Sequence, residues 1–174
     1  MRLIAVVALV GAAGILAGCS VSPGDAAVVG DRRISQAYLE QATTELAPLL
    51  SNPEPASVLS VLVVAPTFID AAAEHGVGVS ADEARTLLEE SAVSAGIDPV
   101  PAFGEAALEV ALFSLSLQNL QGLPDGDVVV AEVQAASAEL DVDVNPRYGS
   151  LDPATGQISA TTPDWIVPAA AVAP

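Results

Sequence analysis

Residues 141–152 read DVDVNPRYGSLD. Asp141, Asp143 and Asn145 stand at the first, third and fifth positions of this stretch, and Asp152 at the twelfth, which is the oxygen-ligand spacing of a calcium loop. Two positions oppose that reading. The sixth is Pro146, where the loop needs glycine for a sharp turn and proline holds φ near −65°. The seventh is Arg147, a cation beside the would-be ion. Val142 and Val144 ask instead for a strand with one buried face, because strand side chains alternate with period two. The strand is the stronger reading, and a weak calcium site is its alternative. As a strand, its acidic side faces water and it runs into a structural turn made of Pro146, Arg147, Tyr148 and Gly149. Arg147 would anchor that turn against a carboxylate, and Tyr148 against the core.

No other constellation carries chemistry well. His75 is the single histidine, so no histidine metal cluster can form, and a lone imidazole without a nucleophile makes no catalytic machinery. Glu89 and Glu90 are adjacent on a helical pattern and point in different directions, which suits a solvated surface. The chain has no lysine, so a Ser-x-x-Lys pair and a lysine phosphate loop are both excluded, and no Gly-x-Ser-x-Gly elbow occurs. Neither a catalytic residue nor a metal or other cofactor is expected.

Charge and composition narrow the partners. Five arginines face 22 acidic residues for a formal net charge of −17, which repels phosphate backbones and disfavours nucleic acid. Apolar residues make up 52% of the chain but aromatics only 3%, so the core must be built from Ala, Val and Leu. Such residues favour helices packed closely together.

The single cysteine, Cys19, excludes an internal disulfide. It follows Arg2, an apolar stretch from Leu3 to Leu16, and the small residues Ala17 and Gly18. Residues 1–18 read as a secretory signal, too short for a membrane span. The sequence "LAGC" resembles a bacterial lipobox, which implies cleavage between Gly18 and Cys19 and diacylation of Cys19. Each buried methylene contributes about 0.8 kcal/mol, so two or more acyl chains make a stable anchor. The expected location is the outer face of the cell membrane. No later run is expected to be long and apolar enough to span a bilayer.

The elements follow from periodicity. Residues 19–25 form a tether, and Ala26 to Val29 a short strand closed by a Gly30-Asp31 turn. Ser35 caps a helix over 36–50 that ends or kinks at Pro48. A helix from Ser57, apolar on more than one side and kinked by Pro66, is the expected central element and ends at Gly76. "SADE" at Ser80 to Glu83 is a capping box for a helix through Ala95. Further helices are predicted over 102–121 and 128–138, the last capped by Asp127. The expected domain covers residues 26–152 and is mainly α, with about five helices and a two-stranded ribbon of Ala26–Val29 with Val142–Asn145. Residues 153–174 form a Pro/Ala/Thr-rich tail.

This order of elements resembles the N-terminal domain of SurA-like foldases, in particular the short lipoprotein members typical of actinobacteria. The resemblance is carried by "AAVVGDRRISQAYLEQ", by "VLSVLVVAPTFIDAAAEHGVGVSADEARTLLEE" and by "VDVNPRYGSLD", and covers roughly residues 25–152. Larger members insert a parvulin prolyl-isomerase domain of about a hundred residues. Here only residues 127–138 separate the fourth helix from the closing strand, which leaves no room for it. The resemblance implies a chaperone-like, non-isomerase domain that binds unfolded or extended segments of secreted proteins. The alternative is an adaptor or scaffold lipoprotein that binds one folded envelope partner.

Overall fold

The computed structural model describes residues 21–50, 53–152 and 156–159. The expected signal, its Gly18–Cys19 junction and residues 160–174 lie outside the described residues.

Among the described residues the fold is mainly helical, with two small antiparallel sheets. Strand β1 (Asp25–Val29) turns back at Gly30, which sits at φ 55°, into β2 (Arg32–Ser35). The left-handed backbone of that tight turn suits a residue without Cβ. Ser35 then accepts a hydrogen bond from the Tyr38 amide and starts α1 (Gln36–Leu46). Helix α2 (Pro55–Glu74) opens on proline at its first position, where the missing N–H costs nothing. Gly76 and Val77 close it by donating to the carbonyls of Ala73 and Ala72, with Gly76 at φ 74°. Helix α3 (Ala81–Ser94) starts with the expected capping box between Ser80 and Glu83 and ends on the same glycine closure at Gly96. The Ser80 amide and hydroxyl hold the Glu83 carboxyl below its ordinary pKa. Helices α4 (Glu105–Gln121) and α5 (Gly126–Ala138) follow, then β3 (Val142–Val144), β4 (Ser150–Asp152) and β5 (Gln157–Ser159).

The expected pairing of the chain's two ends is present, since Ala27, Val28 and Val29 lie opposite Val144, Asp143 and Val142. The ribbon is nevertheless three-stranded, because β2 pairs on the other side of β1. A β1–β3 ladder alone would leave a buried strand with one unpaired edge, and the hairpin supplies the partner. A second sheet of β4 and β5 was not expected. It draws residues 157–159 out of the predicted tail and seats Ile158 in the core. Helix boundaries also move: α4 starts at Glu105, and α5 at Gly126 after Asp125 rather than after Asp127.

Helix α2 is long and apolar enough to cross a membrane, contrary to expectation. It packs instead among α1, α4, α5 and the strands, with Leu59, Leu62 and Ala65 fully buried. Each buried leucine stabilises the fold by roughly 1.5–3 kcal/mol. Helix α4 shares the centre. Ala106 contributes to the core under the three-stranded sheet, Leu120 to the core against α5, and Ala107 and Ala111 to the core against α3. Alanine at these positions lets four helices approach α4 closely, as the composition implies.

Pro66 sits inside α2, in a helix that continues unbroken on both sides. Having no N–H, it cannot donate to the carbonyl of Leu62 one turn earlier. Arg32 fills that role: its Nη1 donates to the Leu62 oxygen at 2.7 Å.

Candidate functional site

Two places in the described residues bring polar or apolar groups together in a way sequence periodicity does not announce. The first is the surrounding of Glu109 on α4. Arg32 Nη2 donates to both its carboxylate oxygens at 2.7 and 2.8 Å, and the Tyr38 hydroxyl donates to Oε2 at 2.8 Å. Burial of Tyr38, then its hydrogen bond to Glu109, keep the phenol protonated well above its ordinary pKa of 10.0. The phenol cannot act as a base there, and Arg32 is spent on Glu109 and Leu62. The cluster ties β2, α1, α2 and α4 together and offers no free group for chemistry.

The second is a cleft of about 510 Å³ between α2, α4, α5 and the turn into β5. On α2, Ser57, Ser60, Val61, Val64 and Phe68 return every three or four residues and make one stripe. Phe113 and Leu117 face it from α4, and Gln134, Ser137 and Ala138 from α5. The rings of Phe68 and Phe113 meet edge to face, with centroids 5.1 Å apart and planes at 76°. This geometry is the favoured one for aromatic pairs and fixes the apolar wall. On the remaining side the Ile158 amide donates to the Ser60 hydroxyl at 2.8 Å, which places Gly156, Gln157 and Ile158 on the rim. None of the lining residues is charged. The size lies in the range of pockets that hold small molecules or short peptide segments. A shallower groove between α3 and α4, near 440 Å³, is edged by Asp82, Glu83 and Glu90.

The residues singled out from sequence lie elsewhere. Asn145, Pro146, Arg147 and Tyr148 form a tight turn in which the Tyr148 amide donates to the Asn145 carbonyl at 2.9 Å. Gly149 follows at φ 117°, a conformation that favours glycine. Tyr148 packs against the first core, as expected, while Arg147 Nη1 donates to the amide oxygen of Gln36 at 3.1 Å. Asn145 uses its side-chain NH2 on the Asp25 carbonyl and its oxygen on the Arg147 amide. Asp141, Asp143 and Asp152 precede or occupy strands of two different sheets, not one loop wrapped about a point. Among the described residues no group of three or more His, Cys, Asp or Glu is placed to hold a metal ion. His75 is an exposed helix cap.

The cleft was not named from the sequence, although its stripe on α2 was visible as part of an apolar pattern with more than one face. What periodicity lacks is which faces of α4 and α5 meet that stripe.

Comparison with family models, with curated proteins and with solved structures finds no match.

Proposed function

We propose that this chain is a membrane-tethered, extracytoplasmic lipoprotein whose α2–α4–α5 cleft holds unfolded or extended apolar stretches of other polypeptides, without catalysing a reaction. The observation that carries the reading is the cleft itself: an uncharged recess walled by Phe68 and Phe113 on a chain of net charge −17. An acidic exterior keeps such a protein soluble while an apolar recess takes up the surface that aggregation-prone segments expose. Serine and glutamine at the rim offer hydrogen bonds to a peptide backbone without selecting for charge. The order of helices and strands supports a SurA N-terminal-like domain that lacks an isomerase unit. The "LAGC" stretch supports lipidation at Cys19 and a place on the outer face of the membrane.

The test is binding of a fluorescent apolar peptide, together with suppression of aggregation of an unfolded client at stoichiometric amounts. Val61→Asp puts a charge on the half-buried α2 wall outside the core clusters, and should weaken peptide binding at least tenfold, a change of about 1.4 kcal/mol. A chain that neither binds peptide nor slows aggregation rules the reading out. Cross-linking in cells should recover many clients; one dominant folded partner would favour an adaptor. Cys19→Ser should abolish partitioning into detergent, and unchanged partitioning would remove the anchor.

A further inference from the structure

We propose that the cleft selects polypeptide segments of one kind: about five apolar residues in extended form, with lysine or arginine immediately outside them. The proposal rests on the reading of the cleft as a polypeptide-binding site and names its substrate class. Length, lining and surrounding charge carry it together.

The stripe on α2 that lines the cleft runs from Ser57 to Phe68, a rise of roughly 17 Å at about 1.5 Å per residue. About five extended residues, at about 3.3 Å each, match that length. Whatever follows them in a longer polypeptide must leave the recess and pass over the surface around it. Inside the recess no lining side chain is charged, so an ion buried there would lose its hydration without gaining a partner. Charge on an occupant is therefore met outside the recess.

That surface has one sign. Helices α2, α4 and α5 carry Asp70, Glu74, Glu105, Glu109, Asp127 and Glu132, and neither arginine nor lysine. Glu109 is offset by Arg32. The other described arginines belong to other elements: Arg33 on β2 pairs with Asp25, Arg85 on α3 pairs with Asp82, and Arg147 lies in the turn before β4. Two further exposed carboxylates stand beside lining residues. Glu54 caps α2 one turn before Ser57, and Glu139 caps α5 directly after Ala138. Glu139 does not serve its own helix, because the C-terminal end of α5 already carries the negative end of the dipole and no basic residue in the last turn compensates it. A cation on the occupant would meet both. A low-dielectric recess framed by one sign of charge concentrates the field at its mouth, so basic flanks speed capture and acidic flanks slow it.

Four fluorescent peptides test this against the full chain. Three share one apolar core and carry flanks of lysine, serine or glutamate; the fourth has lysine flanks and a serine core. At about 0.01 M salt the lysine-flanked apolar peptide should bind about tenfold tighter than the glutamate-flanked one, with the serine-flanked peptide between them. At about 1 M salt, where the Debye length falls to about 3 Å, the gap should close several-fold. Equal affinities for the three flanks, or a preference that salt does not reduce, overturn the proposal and leave the client-binding function standing. If the serine-core peptide binds as tightly as the apolar one, or no peptide binds, the function itself falls and the proposal with it. Glu54→Gln with Glu139→Gln should reduce the lysine preference several-fold. Glu40→Gln with Glu89→Gln removes the same number of charges from exposed positions on α1 and α3 and should leave the preference in place. Equal losses in the two double variants overturn the proposal, because net charge alone would then account for the preference.

Discussion

Arg32 is the residue whose role is widest. It supplies the hydrogen-bond donor that Pro66 lacks, at the Leu62 carbonyl, and pairs in two-pronged fashion with Glu109. Arg32→Ala leaves a carboxylate and a carbonyl without this partner, and should cost about 3 kcal/mol of stability. Pro66→Ala restores an N–H to the same carbonyl. In that background the cost of Arg32→Ala should shrink by about 1 kcal/mol, measured by urea unfolding of the four chains in a double-mutant cycle. An additive cycle would show that the two residues do not share Leu62. Tyr38 adds a pH signature. The folded chain holds its proton more tightly than the unfolded chain does, so its contribution is complete below the ordinary value of 10.0 and is lost as pH rises above it. Stability measured from about pH 8 to about pH 11 should fall along the alkaline limb, and Tyr38→Phe should flatten that fall. Ser116 is the opposite case: it is fully buried on α4 and its hydroxyl makes no hydrogen bond among the described residues. Ser116→Ala should raise stability by about 1 kcal/mol, read as a later urea midpoint at unchanged slope.

Helix α4 shows how elements depend on one another. Its own N-cap is Gly104, which has no side chain to offer; the Glu45 carboxylate of α1 accepts the Gly104 amide at 2.8 Å instead. A negative charge at this end also complements the helix dipole. Glu45→Ala should therefore cost about 1 kcal/mol although it lies 59 residues from its partner. The first residue of helix α5, Gly126, is glycine for a steric reason. A Cβ there would lie 2.5 Å from the Leu120 carbonyl oxygen and 2.7 Å from that of Gln121, both backbone atoms that cannot step aside. Gly126→Ala should destabilise by about 2 kcal/mol or shift the start of α5, seen as a lowered unfolding midpoint. The sequence placed that start after Asp127 because aspartate is a common cap, whereas Asp125 takes the cap position and the helix begins at Gly126. Local signals did determine the Ser35 cap, the Ser80–Glu83 box and the glycine closures at Gly76 and Gly96, since each is complete within a few residues. The second sheet was missed because β4 and β5 are three residues each and lack the paired valines that marked β3.

At the scale of the molecule, the feature that stands out among the described residues is the uncharged cleft enclosed by α2, α4 and α5. Much of the plan was legible in the chain. Composition required a core of small apolar residues, and fully buried Ala65, Ala72 and Ala106 meet that requirement. Apolar periodicity located the helices, and the valines at 142 and 144 marked a strand, which pairs with β1 as expected. These are properties of neighbours in sequence: a side-chain period or a cap is set by residues within a turn or two of each other. The tertiary structure alone decided that β2 makes the sheet three-stranded, that Arg32 stands in for the missing amide of Pro66, that Glu45 caps α4, and that stripes on α2, α4 and α5 enclose a cleft. The last three join residues dozens of positions apart, and it is the packing of whole elements, not local preference, that sets which faces meet.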